Sequence, residues 1–353
     1  MRGLLILGDS QMPAGEQGLV RTPYISVLVI AFTRTQFLKY ALDSIGRQTL
    51  RRELFEVIVV SNSDMDKSSL EKLNARMIRT DLRELESKMA LGMDACRGEV
   101  ICIMEDDDEW EDNRLQAVYD LFTSRKDIGY YHNAFSLIGE DGKKLKDPMF
   151  RLMDRRMMRA GQYTRDRTDA TFGSIRKMIK MGLSFNTSSM SFRSKILRER
   201  KELLASLKGR SSNVDNFIFY ACLLSGAKVY GDSRRLTRYR IHPQNTSKRF
   251  LTSGTRPEDL GFGILLKMTE DGEENIQIRR SVECMISDLR FEIYSKENVR
   301  DRRLMLSAIA GHMHYFSLSD MQYDFMLVLF GLLYFISPRL GSMMHSIPSE
   351  HLG

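Results

Sequence analysis

The sequence predicts an α/β fold, a mostly parallel sheet flanked by helices and followed by a helical appendage, and three observations predict it. Continuous apolar runs rich in β-branched residues alternate with amphipathic stretches between residues 25 and 104. A cluster of carboxylates stands directly after the third such run. Beyond about residue 260 only helical periodicity remains.

Residues 8–23 mix Gly, Pro, Gln and charge without a period, so 1–23 reads as an N-terminal extension. Ile25–Ala31 (ISVLVIA) has the composition of a strand buried on both faces. Phe37, Leu38, Ala41, Leu42 and Ile45 then form an apolar stripe at helical spacing. Two more buried strands are predicted at Phe55–Val60 and Val100–Met104. Strand, helix and strand in this order imply right-handed crossovers and a Rossmann-like sheet. Ligands of such sheets bind beyond the carboxyl ends of the strands, here Phe32–Arg34, Ser61–Asp64 and Glu105–Asp108. A helix through Leu115, Val118, Leu121 and Phe122 follows. Strand-like segments recur at Gly129–Phe135, Thr187–Phe192, Ala227–Tyr230 and Leu236–Ile241. Ser212–Ser225 reads as a helix, with Ser212 and Asn213 placed to cap it. Val282, Met285, Ile286, Leu289 and Ile293 make a further helical stripe. The organisation is therefore an extension over 1–23, a sheet domain over 24–255, a helical region over 256–320 and a hydrophobic terminal segment over 321–353.

The chain has 353 residues, 42% hydrophobic and 28% charged, a composition ordinary for a folded soluble protein, so disorder is not the default. Its net charge of +7 is uneven, because residues 151–180 carry nine basic side chains against three aspartates. Such a segment suits an anionic ligand or an acidic membrane surface, and equally a solvated face. It lacks the interleaved aromatics of a nucleic-acid surface. Four cysteines without CxxC pairing or zinc-ligand spacing read as buried thiols of a reducing compartment. Leu4–Leu7 is too short for a signal-peptide core, which points to a cytoplasmic protein. Phe325–Ile336 is free of charge but shorter than the ~20 residues of a membrane span. It fits either a peripheral contact on the cytoplasmic face of a membrane or a buried helix.

Glu105-Asp106-Asp107-Asp108-Glu109-Trp110 carries the strongest chemical signal. Successive carboxylates repel one another, and a hard divalent cation shared with phosphate oxygens relieves the repulsion. In extended geometry Asp106 and Asp108 project to one side and can hold one Mn²⁺ or Mg²⁺. Asp215 lies in the first turn of its helix, where the dipole favours an ionised carboxylate, a structural as well as a chemical fit. Trp110 offers a face for stacking on a sugar or for core packing.

The runs ISVLVIAFTR, FEVIVVSNS and ALGMDACRGEVICIMEDDDEW, with Val214-Asp215 and Tyr239-Arg240-Ile241-His242 before Asn245 and Ser247, resemble the family 2 glycosyltransferases of GT-A fold. The resemblance covers residues 25–247. It implies that Ala31, Phe32, Thr33, Arg34, Asn62 and Lys88 meet the nucleotide together with Asp106 and Asp107. It also implies a metal held by Asp106, Asp108 and His242, and Asp215 as the catalytic carboxylate. Trp110 and Arg240 are the candidate contacts to the sugar or acceptor. The sequence departs from the family pattern at Ile30, Thr33, Ser61-Asn62 and Met89-Ala90, positions that bear on the donor nucleotide. The implied function is metal-assisted, inverting transfer of a sugar from a nucleotide-diphosphate sugar to the hydroxyl of a glycan or lipid-linked acceptor. Two alternatives stay open: a catalytically inactive sugar-nucleotide-binding subunit, and a sugar-phosphate nucleotidyltransferase, against which the glycine-free loop AFTRTQF counts.

Overall fold

A computed structural model describes residues 6–7, 22–32, 35–146, 148–165, 170–208, 213–245, 261–270, 275–296, 306 and 310. Strands β1 (Ile6–Leu7) and β2 (Ile25–Ala31) precede α1 (Thr35–Gly46), β3 (Phe55–Ser61), α2 (Lys67–Lys72), β4 (Arg76–Arg79) and α3 (Leu85–Ala95). The acidic run lies between β5 (Val100–Glu105) and β6 (Glu109–Trp110). Next come α4 (Arg114–Ser124), β7 (Ile128–Ile138), α5 (Pro148–Ala160), β8 (Gln162–Arg165) and α6 (Phe172–Lys180). β9 (Met190–Arg193), α7 (Ser194–Arg198), α8 (Lys201–Ala205), α9 (Val214–Leu224) and β10 (Lys228–Arg240) complete the sheet-bearing part. Helices Phe262–Met268 and Ile276–Lys296 follow.

The strands form a ten-stranded sheet in the order β1-β4-β3-β2-β5-β9-β7-β10-β6, with β8 also on β10. β2 is central to the first half, parallel to β3 on one side and β5 on the other. The period of two along β2 feeds both faces of the sheet. Val27 and Val29 join Leu38 and Leu42 of α1 with Val118 and Phe122 of α4. Leu28 and Ile30 join Met89 and Met93 of α3. That double burial is why β2 reads as an unbroken apolar run.

The sheet is mixed where a mostly parallel one was predicted. β9 begins beside the carboxyl end of β5 and runs back down it, so it pairs antiparallel with both β5 and β7. β6 and β8 are antiparallel to β10, and β1 to β4. Part of the N-terminal extension thus supplies an edge strand. The two strand segments predicted at Ala227–Tyr230 and Leu236–Ile241 are one strand, β10, whose register on β7 shifts between Asp232 and Thr237. Its polar middle is a bulge and not a break. The predicted strand Thr187–Phe192 opens instead with a 3₁₀ turn over Thr187–Ser189.

The two described helices after residue 260 pack on the main core. Phe262, Leu265, Ile278 and Val282 share one core with Phe217, Tyr220, Ala221 and Leu224 of α9. Tyr220 and Ser281 are joined by a hydrogen bond of 2.7 Å between their hydroxyls. Of the predicted stripe, Val282 lies in the main core and Met285 and Ile286 pack against it, whereas the side chains of Leu289 and Ile293 lie outside those described. Cys96, Cys102, Cys222 and Cys284 are buried thiols. Burial pushes the Cys96 thiol up to about 12 and raises those of Cys102 and Cys222. Phe325–Ile336 and Ser247 lie outside the described residues.

Candidate active site

The carboxyl ends of β2, β3 and β5 meet as predicted. The backbone N–H of Phe32, just past β2, donates to Asp106 Oδ2 at 2.6 Å. Lys88 of α3 donates through Nζ to the Ala31 carbonyl at 2.7 Å and to Asn62 Oδ1, and its ammonium lies 3.9 Å from the Phe32 ring centre. Asn62 in turn donates to the carbonyls of Thr80 and Leu82. Ala31, Phe32, Asn62 and Lys88 therefore form one connected group. Lys88 is fully buried within it. Thr33 and Arg34 lie outside the described residues.

Each member of the acidic run has its own neighbour. Glu105 accepts from the Thr187 hydroxyl. Asp107 Oδ2 is 2.9 Å from His242 Nε2. Asp108 Oδ1 accepts from the Arg240 N–H at 2.9 Å. Glu109 is paired with Arg238 and Arg240. Burial, then the Asp107 and Glu105 carboxylates, hold the Asp108 carboxyl well above the usual range, against the Arg240 N–H and the Ser188 hydroxyl. Among the described residues no three His, Cys, Asp or Glu side chains converge to hold an ion. His242 in particular is turned to Asp107 and is not grouped with Asp106 and Asp108 as predicted.

Arg240 and Trp110, expected against a sugar, are each 1% exposed. The Arg240 guanidinium donates to the carbonyls of Asp107, Gly139 and Glu140. The Trp110 indole N–H donates to the Ser188 carbonyl at 2.8 Å, and Arg114 covers its ring at 4.1 Å. Arg240 fixes the acidic turn to β10, and Trp110 joins β6 to the 3₁₀ turn before β9.

Asp215 stands in the first turn of α9 and accepts the Asn186 N–H through Oδ2 at 2.9 Å. Removal from water pushes its carboxyl up to about 7, with the Asn186 N–H acting in the opposite sense. Asn213 occupies the cap position without a side-chain cap bond, and its side-chain oxygen accepts from Asn216. Ser212 lies outside the described residues.

Residues 26–195, which span β2 to α7, match the family model for glycosyl transferase family 2. This domain belongs to that family. The match sets aside the nucleotidyltransferase reading. The fold of the glycosyltransferase is similar to that of S. aureus TarS 1–349, with a TM-score of 0.56 at 15% identity over 91% of this chain and 88% of that one. TarS 1–349 in complex with UDP-GlcNAc gives a TM-score of 0.58 at 12% identity, with the same coverage of each chain. No curated protein matches the sequence. At these identities the likeness is one of fold.

The glycosyltransferase site includes residues the sequence reading passed over. Asn186, Thr187 and Ser188 touch Asp215, Glu105 and Trp110 respectively. The available signal was a polar run, Ser184 to Ser189, with only Phe185 interrupting it, directly before a buried strand. Buried polar side chains in such number need internal partners.

Proposed function

We propose that this glycosyltransferase moves a sugar from a nucleoside-diphosphate sugar to an acceptor hydroxyl with inversion, and that Asp215 is the general base. The observation that carries the reading is the Asp215 carboxyl, raised to about 7 at the start of α9 and joined through one turn to the acidic end of β5. A carboxylate of that affinity gives up its proton near neutral pH and can take one back. In a direct displacement the acceptor oxygen bonds to the anomeric carbon from the face opposite the diphosphate. The bond to the diphosphate oxygen breaks, its electron pair leaves with the nucleotide, and the acceptor proton passes to Asp215.

We assign the divalent cation, Mn²⁺ or Mg²⁺, to Asp106 and Asp108 and leave His242 out of the ligand set. The donor chemistry fits: Asp108 is a buried carboxylate crowded by two others, and a cation offsets that crowding. Mg²⁺ commonly takes one or two carboxylates with substrate phosphates, so a pair suffices. When bound, the ion supplies positive charge against the leaving diphosphate. Phe32, Asn62 and the acidic turn form the nucleotide side of the site.

UDP-GlcNAc, seen bound to TarS, is the first donor to test. Ligands that bind only the folded state raise its melting temperature. UDP and UDP-GlcNAc should therefore stabilise the protein more with Mn²⁺ than without it, and Asp108→Ala should lose the Mn²⁺-dependent part. An undiminished Mn²⁺-dependent shift in that variant removes the ion from this position.

For the acceptor, a glycan or lipid-linked saccharide, we place the reaction at a membrane surface reached by residues 321–353. The support is the charge-free run Phe325–Ile336. No described helix is long and apolar enough to cross a membrane. Deleting 321–353 should shift the protein from membrane to soluble fractions, and unchanged fractionation would speak against the contact.

A further inference from the structure

Asn186, Thr187, Ser188 and Ser189 are almost wholly removed from water, although every one has a polar side chain. Their hydrogen bonds run to both halves of the site. At one end the Asn186 N–H holds Asp215 Oδ2 at 2.9 Å. Asn186 reaches that direction with φ at +69°, a left-handed conformation that Asn tolerates better than most side chains. Its own side chain fixes the conformation, because Oδ1 accepts the Ser188 N–H at 3.0 Å and Nδ2 donates to Ser189 Oγ at 3.3 Å. At the other end the Thr187 hydroxyl donates to the Glu105 carboxylate, and the Glu105 N–H donates to Ser188 Oγ at 3.1 Å. The Ser188 carbonyl accepts from Trp110 at 2.8 Å and from the Thr237 hydroxyl at 3.3 Å. A single turn thus touches β5, β6, β10 and α9.

We propose that the turn Asn186–Ser189 is the positioning element that sets Asp215 at its working distance from the acidic turn, with Thr187 as the residue that fastens it to β5. The inference rests on the reading of Asp215 as the base. Thr187 and the Asn186 side chain act through the Asn186 N–H that holds Asp215. Their effect on rate is geometric: a displacement on the order of 1 Å in a positioned group is enough to slow a reaction ~10²-fold.

Thr187→Val keeps the shape of the side chain and removes its hydroxyl, whereas Thr187→Ser keeps the hydroxyl. The measurement is release of UDP from UDP-GlcNAc with Mn²⁺ and water as acceptor, beside the affinity for UDP. Thr187→Val should lower kcat ~10–100-fold while UDP affinity stays within about twofold, and Thr187→Ser should restore most of the rate. Asn186→Gly keeps the left-handed backbone and its N–H but drops the side-chain bonds. It should lower kcat in the same way, and it serves if Thr187→Val does not fold. The deciding comparison is a double-mutant cycle with Asp215→Asn. If the turn works through Asp215, Thr187→Val (or Asn186→Gly in its place) should cost almost nothing once Asp215 is already Asn. Equal losses in both backgrounds overturn the proposal, as does a full-rate Thr187→Val beside an inactive Asp215→Asn. Near-normal turnover of Asp215→Asn removes the base itself, and the positioning role falls with it.

Discussion

For Asp215, the proposed base, environment and chemistry can be tested together. Asn is nearly isosteric with Asp but takes no proton at neutral pH, so Asp215→Asn should slow transfer ~10²–10⁴-fold while nucleotide affinity is kept. A loss confined to nucleotide binding would show Asp215 to be structural. The same carboxyl makes a prediction about stability. Its folded value of about 7 lies above the ordinary 3.8, so the native state holds a proton that the unfolded chain has released over the window between. The resulting stabilisation is complete below about pH 4 and is lost as pH rises through 7. Asp215→Asn has no such loss, so its melting temperature relative to the parent should climb from pH 4 to pH 8. A flat or falling difference would contradict the burial that raises this group. Asp108 and Asp215 were legible in the sequence because a carboxylate run after a strand and an acid in a first helical turn are local signals. The partner of His242 and the inward direction of Lys88 were not, because each depends on a contact far along the chain: Asp107 for the one, Ala31 and Asn62 for the other.

Between elements, α3 is seated closely on the first strands. Gly92 has no side chain to hold the helix away, and a Cβ there would stand 2.4 Å from Leu28 Cδ1 and 2.8 Å from Val60 Cγ2. Gly92→Ala should therefore destabilise the protein by ~1–3 kcal/mol, since overpacking outweighs the ~1 kcal/mol that Ala gains in helix propensity. Gly173 in α6 is the control: a Cβ there meets nothing within 4 Å, and Gly173→Ala should stabilise by ~0.5–1 kcal/mol. Urea midpoints moving in opposite directions would bear out the packing argument, and two midpoints moving together would refute it. β2, α1 and β3 were readable because their periods match the burial they undergo. The mixed pairing was hidden, since antiparallel β9 is only four residues long and its direction is fixed by where α6 and the following turn deliver the chain. The bulge in β10 was read as a gap for a similar reason: Ser233-Arg234-Arg235 is polar, and polarity alone does not distinguish a bulge from a break.

For the molecule as a whole, the shared core of α9 with the helices after residue 260 sets how it unfolds. Leu265 is fully buried in that core, and Leu265→Ala should lower stability by ~2–5 kcal/mol. Trp110, the single tryptophan, lies at the acidic turn and reports on the sheet domain by fluorescence. One cooperative body requires that its transition move with the Leu265 substitution, whereas an independent appendage would leave it in place. The helical stripe at Val282–Ile293 was visible in the sequence, but what it packs against was not, because a stripe states that a face is buried and is silent on its partner. The four interior thiols carry a consequence of another kind. All are buried, so Ellman's reagent should find no thiol in the native protein, and their appearance should time the opening of the core. A cysteine placed at Tyr40, 51% exposed on α1, would then be the sole native-state attachment point for a fluorophore or spin label. The native cysteines would not have to be removed first.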